Sequence, residues 1–187
     1  MNTPNKLTIF RMVMTPVFLA AIIMDIPHRY LWGIITFSIA AITDALDGNI
    51  ARRKNQITVF GKLTDPVADK MLTTAALLAF MQLGLCNIWI VLVILTREFA
   101  VTSIRLVASA QGVVIPANIW GKVKTISQMA FTILIMLLKE LEYIGLIPTT
   151  APLALVSNIL LGITAILTVV SGAIYIIESS KIIDFSK

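Results

Sequence analysis

Four aspartates stand in an otherwise apolar stretch of the sequence, with spacings that could bring their carboxylates together. Asp44 and Asp47 are three residues apart, and Asp65 and Asp69 are four residues apart. Residues at these spacings share one face of an α-helix, so each pair would project from one side of its own helix. If the two helices are antiparallel neighbours, a short connection between them puts the pairs at similar depth. The spacing therefore predicts four carboxylates in one site.

Clustered carboxylates in a medium of low dielectric need compensating charge. Two divalent ions would neutralise the four charges, and a site of oxygen ligands alone favours hard cations such as Mg²⁺ or Mn²⁺. Gly48, Ala51 and Gly61 leave room for a ligand or another helix. A structural interpretation is also open, in which Asp65 caps a helix that begins at Pro66 and the small residues pack between helices.

The composition places these residues in a membrane. Of the 187 residues, 58% are hydrophobic and 13% are charged, and the mean hydropathy is +0.92, which excludes an ordinary soluble domain. Apolar runs of about 20 residues can cross a bilayer as helices, because a helix satisfies its own backbone groups. The sequence predicts six spans, at 7–25, 30–52, 63–85, 88–110, 119–139 and 152–177. We expect an all-α integral membrane bundle, with residues 1–187 forming one catalytic domain and residues 1–6 a short interfacial segment.

Basic residues are concentrated on one side of the predicted bundle. They lie near both termini and in the 52–62 connection, so the positive-inside rule puts these parts in the cytoplasm. A net charge of +5 suits anionic membrane lipids, whereas no basic patch is interleaved with aromatics, so no nucleic acid is expected. The single Cys86 excludes a disulfide within the chain, and with the single His28 it forms no metal cluster. Both are interpreted as side chains near helix ends.

A second group of charges lies in the fourth and fifth predicted spans. Arg97 and Arg105 are two helical turns apart, and Lys122 and Lys124 open the fifth span. Cations at such depth normally face a cavity or a partner. Glu98 could pair with some of this charge in a structural salt bridge, but four cations exceed one acid. The excess favours an anionic ligand, and the planar fork of arginine favours a phosphate. On a regular helix the two lysines would point in roughly opposite directions.

The aspartate pattern resembles the signature of a known family. Residues 44–69 read Asp-x-x-Asp-Gly-x-x-Ala-Arg, then eight residues, then Gly-x-x-x-Asp-x-x-x-Asp. This pattern is similar to the complete motif of the CDP-alcohol phosphatidyltransferases. The resemblance implies transfer of a phosphatidyl group from CDP-diacylglycerol to an alcohol, with release of CMP, by a six-helix and usually homodimeric membrane enzyme that holds two divalent cations. It implies that Asp44, Asp47 and Asp65 are metal ligands and that Asp69 is both a ligand and the general base. The expected CDP-diacylglycerol site comprises Asn5, Thr8, Arg11, Asp47, Gly48, Ala51, Arg52 and Gly61.

Further segments are similar to one branch of that family, the phosphatidylglycerophosphate synthases. They are residues 2–8 with Arg11 and Pro16, residues 63–70, residues 97–99 and residues 121–125. The resemblance implies that the acceptor is sn-glycerol 3-phosphate, which that branch uses. From the excess of positive charge, we expect its phosphate to be held by Arg97, Arg105, Lys122 and Lys124. The expected location is a bacterial cytoplasmic membrane, with the active site on the cytoplasmic side. A synthase of the cardiolipin or phosphatidylinositol-phosphate type is the alternative within the family. A divalent-cation transporter is the alternative outside the family. The mostly apolar residues after Lys70, however, provide few polar groups to line an ion path.

Overall fold

The computed structural model describes residues 3–54, 59–111 and 119–180, without the side chains of residues 3–6, 44–54, 59–66, 69 and 110. The described residues form six α-helices and no strand. The helices are α1 Thr3–Ile23, α2 Arg29–Lys54, α3 Val59–Gln82, α4 Ile88–Ala110, α5 Ile119–Tyr143 and α6 Leu153–Ser179. The prediction of an all-α fold is confirmed.

The helices extend past several of the apolar runs that predicted them. α4 has the predicted bounds, whereas α1 begins at Thr3, so that residues 3–6 of the predicted interfacial segment are helical. α3 begins at Val59, six residues before Asp65. Asp65 and Pro66 therefore lie inside α3, and the interpretation of Asp65 as a helix cap is wrong. Hydropathy marks the part of a helix that lipid can surround, and polar residues can continue the hydrogen-bonded helix beyond it.

Two of the helices meet the length and hydropathy of a membrane span within the described residues. They are Ile119–Tyr143, with a mean hydropathy of 1.3, and Leu153–Ser179, with a mean hydropathy of 2.4. α4 is also apolar for most of its length, but it carries Arg97, Glu98 and Arg105. The presence of membrane-spanning helices is thus supported for α5 and α6, and six spans stay a prediction.

The chain forms two compact units. Unit 1 comprises Met1–Leu83 and Thr132–Leu153, and unit 2 comprises Gly84–Phe131 and Ala154–Lys187. In unit 1, α1 packs against both α2 and α3. Its core includes Phe18 and Phe37, both fully buried, whose ring centroids are 5.5 Å apart. In unit 2, Val101 and Ala108 of α4 form a buried cluster with Tyr175 of α6. The prediction of a single catalytic domain stays a prediction.

A carboxylate from α5 secures the start of α2 in unit 1. The first N–H groups of a helix lack partners within the helix, and the Leu31 N–H donates to Glu140 Oε2 at 3.3 Å. The other oxygen of Glu140 lies 2.5 Å from Nδ1 of His28. His28 has a φ of 57°, a backbone region that is costly for a residue with a side chain. Its ring packs against that of Tyr143 in a T-shaped arrangement, with the ring centroids 5.1 Å apart. His28 therefore has a structural role at this helix start.

Hydrogen bonds also fix the turn before α4 in unit 2. Asn87 caps α4, its side-chain oxygen accepting the Trp89 N–H at 2.9 Å. Its own N–H donates to Asn158 Oδ1 of α6 at 2.8 Å, which joins the starts of the two helices. Cys86 is buried in this turn, and burial raises the pKa of its thiol to about 11. The thiol is therefore protonated near neutral pH and a poor nucleophile.

Replacing Glu140 by Ala should lower the free energy of unfolding by about 1–3 kcal/mol, because the Leu31 N–H and the His28 ring lose their buried acceptor. Denaturant titration of the purified protein in detergent measures the change. Asp25→Asn is the control, since the Asp25 side chain is fully exposed, and it should leave the unfolding midpoint unchanged. Equal midpoints for Glu140→Ala and the unmodified protein would contradict the capping role.

Candidate functional site

The four aspartates lie on two helices of unit 1 that contact each other. Asp44 and Asp47 lie in α2, and Asp65 and Asp69 lie in α3. Both helices are continuous through these positions, so the spacings of three and four residues give each pair a shared helical face. The carboxylates themselves lie outside the described side chains. The meeting of the four carboxylates in one site stays a prediction.

The helix that contacts both aspartate-bearing helices carries a buried polar face. Thr8, Arg11 and Thr15 of α1 are spaced by three and four residues, and all are buried, Arg11 to within 2% of full burial. The Thr15 hydroxyl donates to the Arg11 carbonyl at 3.0 Å. Thr8 lies fifteen residues before the end of α1, and Asp44 lies fifteen residues after the start of α2. Because a short turn joins these helices, Thr8 and Asp44 lie at similar depth.

The remaining residues of the expected CDP-diacylglycerol site are also helical. Asn5 belongs to α1, the residues Gly48, Ala51 and Arg52 belong to α2, and Gly61 belongs to α3. Their side chains lie outside the described part of the structure. All of them belong to unit 1, together with the four aspartates.

Two of the four cations of the second predicted group contact Glu98 in unit 2. Lys124 is buried, with 3% of its side chain exposed, and it forms an ion pair with Glu98 Oε1. Arg97 Nη1 donates to the same oxygen at 3.3 Å. Lys122 is exposed, which confirms the prediction that the two lysines point in different directions. The predicted structural salt bridge is present. The carboxylate of Glu98 contacts two of the four cations, so Glu98 and the four cations together carry a net positive charge.

Arg97 also reaches α6, where a glycine makes space for it. Its Nη2 donates to Ser171 Oγ at 2.8 Å. A Cβ added at Gly172 would lie 2.8 Å from Cγ of Arg97 and 3.2 Å from its Nε. These distances are below ordinary van der Waals contact, so any larger residue at 172 would displace the arginine side chain. Gly172 therefore sets the position of the Arg97 guanidinium.

Arg105 lies against the same helix. Its guanidinium carbon is 5.7 Å from the centroid of the Tyr175 ring, within range of a cation–π interaction. Several buried polar atoms of α4 and α6 lack a hydrogen-bond partner within the part of the chain that the structure describes: Arg97 Nε, Thr168 Oγ1, Tyr175 Oη and Ser179 Oγ. Buried polar groups are normally satisfied, so this strip has spare capacity to bind a polar ligand.

The contribution of α6 was missed by the sequence prediction, although a signal for it was present. The helix is the most apolar of the six, yet it carries a stripe of buried polar residues spaced by three or four positions, at Thr164, Thr168, Ser171, Tyr175 and Ser179. Such spacing places them on one helical face. A polar face inside an apolar helix indicates an interior surface that contacts charged residues or a ligand.

Comparisons with known proteins identify the family of this chain. The family model described as CDP-alcohol phosphatidyltransferase matches residues 1–170. A CDP-diacylglycerol–glycerol-3-phosphate 3-phosphatidyltransferase of Bacillus subtilis is 43% identical over 140 residues, which cover 68% of this chain and 72% of the relative. A protein of the same name from Rickettsia bellii is 36% identical over 93% of both chains. A probable phosphatidylglycerophosphate synthase of Mycobacterium tuberculosis is 36% identical over 96% of this chain and 82% of its own. This chain belongs to the CDP-alcohol phosphatidyltransferase family.

Proposed function

We propose that this protein transfers a phosphatidyl group from CDP-diacylglycerol to sn-glycerol 3-phosphate, giving phosphatidylglycerophosphate and CMP. The observation that carries the proposal is the match to glycerol-3-phosphate 3-phosphatidyltransferases over nearly the whole chain, at 36% identity across 93% of both sequences. The aspartate-bearing helices of unit 1 and the excess positive charge of unit 2 supply groups that suit the two substrates.

Two divalent cations, Mg²⁺ or Mn²⁺, fit the donor set of α2 and α3. The family is generally dependent on divalent cations. Asp44, Asp47, Asp65 and Asp69 would hold them, since two helical carboxylate pairs provide four hard oxygen ligands and four negative charges. When bound, the cations supply neutralising charge to the diphosphate and to the CMP leaving group.

Asp69 would also act as the general base. The acceptor hydroxyl oxygen forms a bond to the phosphorus of the phosphatidyl group, and the bond from that phosphorus to the oxygen of CMP breaks. The proton of the hydroxyl passes to the Asp69 carboxylate, which must be within hydrogen-bond reach of that oxygen. Asp69 lies in the middle of α3, a helix that contacts both α1 and α2, and sites built on helices are more precise than sites built on loops.

The CDP headgroup would lie among α1, α2 and α3. Arg11 and Thr8 offer a buried cation and a hydroxyl on the helix that contacts both others, and a buried guanidinium suits a diphosphate oxygen. On the other two helices, Gly48 and Gly61 would let the nucleotide approach the backbone. Asn5, Asp47, Ala51 and Arg52 would complete the CDP-diacylglycerol site.

The phosphate of glycerol 3-phosphate would be held in unit 2, mainly by Arg97 and Arg105. Arg97 is oriented by Ser171 and Glu98, and Arg105 rests on Tyr175. Lys124 would act by neutralising Glu98, so that this carboxylate orients Arg97 without repelling the ligand. Lys122, which is exposed, would contribute a mobile positive charge.

We further propose six membrane spans, a homodimer and a bacterial cytoplasmic membrane as the location. The basic residues of the 52–62 connection and of both chain ends support a cytoplasmic position for these parts and for the active site. The acyl chains of the donor would then stay among the membrane lipids while its headgroup reaches the aspartates.

Replacement of Asp44 by Asn should lower CMP release by about 10–100-fold or more, because even outer partners of a metal site are worth that much. Excess chelator should abolish turnover, and added Mg²⁺ or Mn²⁺ should restore it. The control is Glu178→Gln, a change of an exposed acid near the end of α6, which should retain activity. Full turnover in chelator would contradict the two-metal site.

Gly172→Ala should raise the KM for glycerol 3-phosphate by about tenfold and leave the KM for CDP-diacylglycerol unchanged, because the new methyl group displaces the Arg97 side chain from a charge-assisted contact. Steady-state kinetics with each substrate varied in turn measure both constants. Gly162→Ala is the matched control, since a Cβ at this position of α6 meets nothing within 4 Å. An unchanged acceptor KM in Gly172→Ala, or equal changes in both variants, would argue against the role of Arg97.

A further inference from the structure

A cavity of about 400 Å³ lies in unit 1, at the ends of the helices far from the aspartates. We call it the far cavity, and the residues that define it here are Asp25, Arg29, Tyr30, Lys139, Glu142 and Tyr143. They come from the turn after α1, the start of α2 and the end of α5. Arg29 precedes Asp44 by fifteen residues of helix, a rise of about 22 Å. The far cavity is thus separate from the proposed catalytic residues, by most of the thickness of a bilayer core.

The wall of the far cavity holds equal numbers of positive and negative side chains. Arg29 Nη1 lies 3.7 Å from Asp25 Oδ1, and Lys139 forms an ion pair with Glu142. The Asp25 side chain is fully exposed, so solvent weakens its attraction to Arg29. The guanidinium of Arg29 retains donors beyond its contacts with Asp25 and the Tyr30 hydroxyl. A ligand with both charges could therefore bind here by satisfying both kinds of group.

Both cations lie beside the same aromatic ring. The guanidinium carbon of Arg29 is 5.0 Å from the centroid of the buried Tyr30 ring, and Nζ of Lys139 is 5.9 Å from it. The ring attracts each cation, but the two cations repel each other. A phosphate group between them would remove that repulsion and receive the fork of Arg29 and the point charge of Lys139. The geometry points to a phosphate at this place.

One acid, Asp25, is placed for a cationic group farther out than the two cations. Asp25 lies beyond the end of α1 with its side chain wholly exposed, whereas the side chains of Arg29 and Lys139 are 28% and 21% exposed. A lone anion would meet repulsion from Asp25 and Glu142, but a headgroup with an inner phosphate and an outer ammonium matches the order of charges. Tyr143, exposed at the end of α5, suits a position at the lipid headgroups.

We propose that the far cavity binds the headgroup of phosphatidylethanolamine from the membrane leaflet opposite the catalytic site. Its phosphate contacts Arg29 and Lys139, and its ammonium donates hydrogen bonds to Asp25 and Glu142. The cavity volume is within the range of about 300–1,000 Å³ that is usual for small-ligand sites. Because the bound lipid joins the start of α2 to the end of α5, it stabilises unit 1.

Thermal unfolding of the full chain in detergent tests the proposal. Short-chain dihexanoyl phosphatidylethanolamine at about ten times its dissociation constant should raise the midpoint by about 3 °C or more. The phosphatidylcholine of the same chain length has no N–H donors for the acids and should give a smaller shift. The soluble glycerophosphoethanolamine, which has the same headgroup without acyl chains, should give a smaller shift at equal concentration.

Arg29→Gln and Asp25→Asn should each abolish most of the shift, since they remove one partner of the phosphate and one of the ammonium. Because the Asp25 side chain is fully exposed, Asp25→Asn should fold with the stability of the unmodified protein. Gln82→Ala, at an exposed position at the end of α3 outside the cavity lining, should keep the full shift. No shift with phosphatidylethanolamine, or a full shift in both cavity variants, would overturn the site. An equal shift from glycerophosphoethanolamine would overturn a lipid as the ligand, and an equal shift from phosphatidylcholine would overturn recognition of the ammonium by the acids.

Discussion

Charge inside apolar helices must be compensated, and this constraint organises the structure. In unit 2, Glu98 accepts from Arg97 and pairs with Lys124. In unit 1, Glu140 serves both the start of α2 and the ring of His28. A buried carboxylate without a partner would destabilise the fold by several times the free energy that an ordinary hydrogen bond contributes. By the same rule the four aspartates would need compensating charge, and divalent cations are the compensation that we propose from their number and chemistry.

The same constraint gives uncharged residues of α6 a role in positioning the arginines of α4. Ser171 and Gly172 of α6 give Arg97 a hydrogen bond and the space it occupies. Tyr175 gives Arg105 an aromatic face. Each of these contacts reduces the freedom of a guanidinium before a ligand arrives, which lowers the entropy cost of binding. At the proposed acceptor site, a phosphorylated acceptor would therefore meet arginines that are already oriented.

The sequence predicted what depends on local pattern. The apolar runs predicted the number and type of helices, and α4 has the predicted bounds. Hydropathy did not predict the start of α3 at Val59, because helical hydrogen bonding continues through polar residues. The contact of His28 with Glu140 joins residues 112 positions apart, and the importance of Gly172 depends on Arg97 of another helix. Spacing along one helix gives no information on partners from another helix. The polar stripe of α6, by contrast, can be recognised from the spacing of its residues in the sequence.

The identity of the acceptor is the most direct test of the account. The purified protein in detergent would receive CDP-diacylglycerol, a divalent cation and an equimolar mixture of glycerol 3-phosphate, serine, inositol 1-phosphate and phosphatidylglycerol, and mass spectrometry would identify the lipid products. We expect phosphatidylglycerophosphate as the main product, with one CMP released for each molecule formed. Equal use of serine or inositol 1-phosphate, or cardiolipin as the main product, would contradict the assignment of the cationic residues of α4 and α5 to the phosphate of glycerol 3-phosphate.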